Sequence, residues 1–223
     1  MKTVKFFGAF ILAATMLLAC GDAPEVEVTT PEVQEEVKTG PSGLYGVDAE
    51  KSSIAWEGNM MKVAGTSLYS HTGTLTLAEG KIQVENGEIS GGGIIVDMTT
   101  LATTDDEGNY DSANGKGRDA LVGQLSSPDF FDVASYPTAS FEITGYDGSS
   151  VSGKLTIRGV SQDAKATVTN MTVGANDLKL TATMQFDRQA FGVAFSMANA
   201  MDVRDKFIDD TITMNITLAG TAK

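Results

Sequence analysis

Apolar and polar residues alternate along much of the chain's last third. Leu178, Leu180, Ala182, Met184 and Phe186 are interleaved with Lys179, Thr181, Thr183 and Gln185. Ile208, Ile212, Met214, Ile216 and Leu218 alternate with Asp209, Thr211, Thr213, Asn215 and Thr217, with one slip at Asp210. In an extended chain every second side chain shares a face, so each stretch predicts a strand with one buried side. Shorter stretches follow the same rule: Leu75/Leu77, Ile82/Val84, Phe141/Ile143 and Val151/Leu155/Ile157. Thr is frequent on the opposite face, as on a solvated β surface. Turn signals separate the runs at Glu79-Gly80, Asn86-Gly87, Asp147-Gly148 and Ala175-Asn176-Asp177. Gly117 to Leu125 predicts the domain's single short helix, and the Gly- and Asp-rich run Thr103 to Gly115 predicts a mobile loop before it.

One-sided alternation argues for antiparallel pairing, because strands of parallel sheets are covered on both faces. About eight strands are expected, and a flat sheet of that size would leave two bare edges. A closed barrel or a two-sheet sandwich removes the difficulty. The pattern alone does not choose between them.

Composition narrows the chemistry. The 223 residues carry 16 Lys and Arg against 29 Asp and Glu, a net charge of −13, so the basic surface that nucleic acid requires is missing. One Cys and one His exclude a zinc site built on those ligands, a disulfide framework and a dithiol redox pair. Residues 1–19 read as a signal peptide: Lys2 and Lys5 precede an apolar run, Phe6 to Ala19, that is too short to span a bilayer as a helix. Leu17-Leu18-Ala19-Cys20 resembles a bacterial lipobox, which predicts lipidation of Cys20 and anchoring in a membrane. Gly21 follows the Cys rather than the Asp that holds such lipoproteins at the inner membrane, so the outer membrane is expected. Residues 20–43 then form an acidic tether with Pro24, Pro31 and Pro41, too poor in large apolar side chains to fold alone. The folded domain is expected over 44–223.

Each chemically suggestive residue also has a plain structural role. His71 could act as a base or ligand, yet a histidine near a turn more often binds backbone. Asp105-Asp106-Glu107 with Asp111 lacks the spacing of a calcium loop and reads as solvated charge. Gly91-Gly92-Gly93 precedes a strand and has no Lys-Ser/Thr pair, so it predicts a bend or close approach rather than a phosphate loop. Arg188 could meet a polar ligand head or pair with Asp202, Asp205 or Asp209. Phe130 and Phe131 could close one end of the fold as a lid or a plug. No catalytic constellation and no metal site emerge, although paired carboxylates of a hydrolase would leave no trace in spacing.

Seven short blocks, in order, resemble the YceI-like family of bacterial envelope proteins. They include Ser53-Ile54-Ala55-Trp56, His71-Thr72-Gly73-Thr74-Leu75, the run Gly91 to Met98 and Tyr136-Pro137-Thr138-Ala139-Ser140-Phe141. The most specific is Leu121-Val122-Gly123-Gln124-Leu125-Ser126-Ser127-Pro128-Asp129-Phe130-Phe131-Asp132; Gln124 stands where many relatives carry His. Gly153 to Val160 and Phe186 to Val193 complete the set. The resemblance implies an all-β fold, an eight-stranded antiparallel lipocalin-like barrel with one short helix, holding an isoprenoid or other amphiphilic lipid. No cofactor is implied beyond that ligand, and no nucleic acid. The expected protein is non-enzymatic, periplasmic and membrane-tethered, with a homodimer left open. If the barrel is hollow, Trp56, Phe141, Ile143, Leu155, Ile157, Met184 and Phe186 are the candidates for its wall, with His71, Phe130, Phe131 and Arg188 for polar or lid contacts. Two rivals stand beside this reading: a structural barrel filled by its own side chains, and a carboxylate-dependent envelope hydrolase.

Overall fold

The computed structural model describes residues 39–62, 66–106, 108, 110, 112–195 and 206–223. The expected signal peptide, Cys20 and the tether as far as Lys38 lie outside these residues, as do Asp202 and Asp205. The described part is built from β1 (Gly43–Val47), β2 (Ser53–Lys62), β3 (Ser67–Glu85), β4 (Glu88–Thr103), α1 (Arg118–Ser126), β5 (Thr138–Tyr146), β6 (Ser150–Ile157), β7 (Val160–Val173), β8 (Asp177–Asp187) and β9 (Lys206–Ala222).

The strands pair antiparallel throughout, and the ring closes because β3 pairs with β2 on one side and β4 on the other. β1 and β2 both run antiparallel between β3 and β9, one after the other. They share one position in the ring, so nine segments make an eight-stranded closed barrel. Closure leaves no edge, and the inner face can be wholly apolar without exposing backbone donors and acceptors.

The alternation maps onto burial as expected. In β8, Leu178, Leu180, Ala182 and Met184 are buried, with exposed Lys179 and Gln185 among the residues between them. Asn86-Gly87 makes the β3–β4 hairpin with both residues at positive φ (52° and 81°), the backbone that a two-residue turn needs. The turn expected at Glu79-Gly80 is not one. β3 runs straight through it, with Leu77 opposite Val96 but Glu79 opposite Ile95, so the extra residue forms a β-bulge. The glycine signal there bends one long strand instead of separating two. Conversely, Arg158-Gly159, not singled out as a turn, is the tight β6–β7 hairpin, again with both φ positive (51° and 72°). Gly91-Gly92-Gly93 lies within β4 as a bend: Gly92 has φ 115° and a Cβ there would sit 2.2 Å from the Lys81 carbonyl oxygen.

The two ends of the barrel differ. One end holds β1 and the β3–β4, β5–β6 and β7–β8 turns, and is packed solid: Tyr45, Ile82, Val84 and Leu178 are fully buried, and the Tyr45 hydroxyl donates to the Gly174 carbonyl at 2.6 Å. The last tether residues dock here, since the Pro41 carbonyl accepts from Gly87 N–H and the Ser42 hydroxyl from Asn86 N–H. The other end carries the long connections and the tight β6–β7 hairpin, from which Arg158 donates to the Pro128 carbonyl. Between β4 and β5 comes α1, one residue later than expected at each end, with Gly117 as its N-cap.

Candidate functional site

A cavity of about 1110 Å³ occupies the barrel above the packed end. That exceeds the range of about 300–1,000 Å³ typical of drug-sized ligand sites. Its wall takes inward side chains, mostly at every second position, from β2 to β6, β8 and β9, with Ala166 from β7, which is why alternation in sequence becomes a continuous apolar lining in space. All seven expected wall residues line it: Trp56 of β2, Phe141 and Ile143 of β5, Leu155 and Ile157 of β6, and Met184 and Phe186 of β8. So do Ile54, Leu75, Ile94, Val96, Leu180, Met214 and Ile216, which belong to the same alternating pattern but had not been singled out. Among the described residues no Asp or Glu lines the cavity.

Glycines seat two of the aromatic rings. A Cβ on Gly73 would lie 2.4 Å from the Trp56 ring, and one on Gly153 would lie 2.6 Å from the Phe141 ring. Both glycines sit directly across the sheet or nearly so, Gly73 opposite Trp56 and Gly153 opposite Ile143. The missing side chains let large rings lie flat against the wall, and so leave the lumen open.

The roof is formed by α1 and the segments beside it. Leu121, Leu125, Phe130 and Phe131 all face the cavity, and Phe130 packs on Phe195 with ring centroids 5.1 Å apart. Backbone hydrogen bonds from Phe130 to Ser127 and from Phe131 to Leu125 hold this turn closed.

Arg188 also reaches the cavity, but its guanidinium is committed elsewhere. It is 1% exposed, and all five N–H groups are used: Nε to the Asp209 carbonyl, Nη1 to those of Val193 and Phe195, and Nη2 to the Ile208 carbonyl and Asp210 Oδ1 at 3.1 Å. The carbonyls of Ile208 and Asp209 are available because β9 bulges there: Gly58 faces Ile212 while Met60 faces Ile208. Its charged partner is therefore Asp210, at the slip in the sequence pattern, and not Asp209, whose backbone rather than carboxylate it binds. No donor remains for a ligand head. Burial pulls its pKa below the ordinary value, against the opposing charges of Asp210, Asp187 and Asp209.

His71, half-buried, does not bind backbone. Its Nδ1 meets Asp105 Oδ2 at 2.5 Å, and its ring stacks on Tyr110 and stands edge-on to Tyr69. Asp105 corrects the expectation of solvated loop charge: it is buried, and takes further hydrogen bonds from the Thr72 N–H, the Thr72 hydroxyl and the Tyr110 hydroxyl. The expected loop is pinned to the barrel at this point, with Thr104 N–H donating to the Thr72 carbonyl as well. Burial pushes the Asp105 carboxyl up, but the hydrogen bonds from His71, Thr72 and Tyr110 together outweigh it and hold the group below its ordinary value. A depressed folded-state pKa contributes stability that is present above the unfolded value, about 3.9, and lost as pH falls through the folded one. Thermal melts of wild type and Asp105→Asn should therefore converge as pH drops below about 4. A gap that does not narrow at all as the pH falls would show that the carboxylate's charge is not what Asp105 supplies.

A family model, the YceI-like domain, matches residues 45–219. The chain belongs to the YceI-like family. No curated protein matches it closely enough to add to this. Burkholderia cenocepacia BcnA is similar to this YceI-like barrel with a TM-score of 0.54 at 17% identity, over 78% of this chain and 98% of that one. A polyisoprenoid binding domain from Saccharophagus degradans, implicated in plant cell wall breakdown, is similar with a TM-score of 0.53 at 16% identity, over 80% of this chain and 98% of that one. At such identities the shared property is the YceI-like fold.

Proposed function

We propose that this chain is an envelope-anchored protein that holds an isoprenoid or other amphiphilic lipid in its barrel and performs no covalent step. The apolar cavity of about 1110 Å³ carries the proposal. Each 100 Å² of lipid chain removed from water there is worth about 2.5 kcal/mol. The wall offers apolar side chains from several strands and, among the described residues, no carboxylate to serve a hydrolase. The Saccharophagus relative's description as a polyisoprenoid binding domain supports a lipid of the same class. Native mass spectrometry of the gently purified domain tests it: a co-purified long-chain adduct is expected. An empty barrel that also takes up no prenyl lipid would favour the purely structural role.

Anchoring is part of the same proposal and rests on Leu17-Leu18-Ala19-Cys20. Among the described residues no helix is long and apolar enough to cross a membrane. Cys20→Ser should move the protein from the membrane fraction to the soluble periplasmic one. Continued membrane retention of that variant would overturn the anchor. Fractionation of the wild type is expected to find it in the outer membrane.

A further inference from the structure

The far side of the His71 ring is a polar feature of the cavity that the fold does not use up, beside the Trp56 Nε1–H, which is buried in the same wall without a partner. Asp105 is held below its ordinary pKa and surrounded by donors; an ionised carboxylate only accepts, so Nδ1 of His71 carries a hydrogen toward it. In the neutral ring this leaves Nε2 as a lone-pair acceptor. Asp105 is not part of the cavity wall, whereas His71 is, so Nδ1 is turned away from the lumen and Nε2 is the nitrogen left facing it. Among the described residues Nε2 has no hydrogen-bond partner, and the side chain is 21% exposed. Tyr110, stacked at 5.3 Å, and Tyr69, edge-on at 5.3 Å, fix the plane of the ring. A ring oriented so tightly, with an open acceptor at an apolar lumen, is a built contact point.

We infer that the Asp105–His71 pair seats the polar head of the bound lipid, and that this head is an uncharged hydrogen-bond donor, a hydroxyl. The inference rests on the lipid-binding reading. An ether or ester oxygen would set lone pair against lone pair at Nε2. A phosphate would bring its negative charge to within one imidazole ring of a buried carboxylate. A hydroxyl donates to Nε2, and its own oxygen can still accept from water at the roof.

The chain has one histidine, so a ¹⁵N-labelled sample shows one imidazole, and its tautomer and charge can be read directly. The probes are a long-chain prenyl alcohol, its methyl ether, the hydrocarbon of the same chain and the phosphate monoester, at about pH 8.5, above the ordinary histidine range. The alcohol should bind about tenfold more tightly than the ether, the cost of one desolvated acceptor left unpaired. It should also move the Nε2 resonance upfield, as a nitrogen lone pair does on accepting a hydrogen.

Asp105→Asn should reverse the ring. The Asn oxygen stays with the Thr72 N–H, its amide donates to Nδ1, and the hydrogen moves to Nε2, so the alcohol's advantage over the ether disappears. His71→Phe keeps a ring between the two tyrosines. It should hold hydrocarbon affinity while abolishing that same advantage. Equal binding of alcohol, ether and hydrocarbon by the wild type would overturn the seat and leave the lipid reading standing. So would tightest binding of the phosphate, or an imidazolium signal at pH 8.5. If none of the four probes binds, it is the lipid reading that fails.

Discussion

Arg188→Met is expected to destabilise the barrel by about 3–5 kcal/mol, the usual cost of removing one partner from a buried charged network. For a domain of this size that is a melting-temperature loss of about 6–20 °C. Methionine fills much of the volume but supplies no donor, so the carbonyls of Ile208, Asp209, Val193 and Phe195 and the Asp210 carboxylate all lose a partner at once. Arg188→Lys should recover only part of the loss, because an ammonium has three donors and no fork. Asp210→Asn should cost far less than Arg188→Met, since four of the five bonds go to backbone. Thermal and urea melts measure all three. A change in Arg188→Met of less than about 1 kcal/mol would show that these bonds do not hold the β9 bulge to the segment after β8.

Leu155→Trp and Ile143→Trp should have little effect on stability and a large one on ligand content. Both side chains line the cavity, so the added ring can extend into open space. The expected melting temperature stays within about 3 °C of wild type, because about 1 kcal/mol corresponds to 2–4 °C here. Co-purified lipid should fall several-fold or shift to shorter chains. In a barrel filled by its own side chains the same replacement would overpack, at about 1–3 kcal/mol or more. Thermal melts and native mass spectra of the same preparations decide it: lost stability with unchanged lipid would mean that the lumen lies elsewhere. A charge at either site would be less informative, since an unpaired buried charge disturbs folding whether or not lipid is bound.

Much of this barrel is legible residue by residue. The alternation in β8 and β9, the Asn86-Gly87 hairpin and the helix near Gly117 to Leu125 are local signals, each expressed within a few neighbours. Such signals err where one local cue serves two geometries. Glu79-Gly80 has the composition of a turn, but glycine also permits a bulge, and only pairing with β4 selects the bulge. The slip at Asp210 shows in the sequence as a broken pattern. That it releases two carbonyls to Arg188 depends on where β8 stops pairing, after Asp187 opposite Thr211.

The polar site was the least legible part. His71 and Asp105 are far apart in the chain and come together because β3 and the segment leaving β4 meet at one end of the barrel. Read alone, Asp105 sits among other acids and looks solvated. Its burial is a property of four donors from two separate places in the chain, the neighbours His71 and Thr72 on β3 and Tyr110 in the segment after β4.

The sequence by itself determined that this is an all-β domain with a one-sided apolar face, and which side chains lie on that face, because a strand's period of two is set by the backbone of each residue. Only the tertiary structure decided whether that face encloses space or fills it. The same alternation would serve a solid barrel. The difference lies in the sum of volumes around a closed ring: Tyr45, Ile82, Val84 and Leu178 plug one end, while Gly73 and Gly153 let Trp56 and Phe141 lie flat against the wall above. That balance is struck between residues far apart in the chain, and it leaves about 1110 Å³ open.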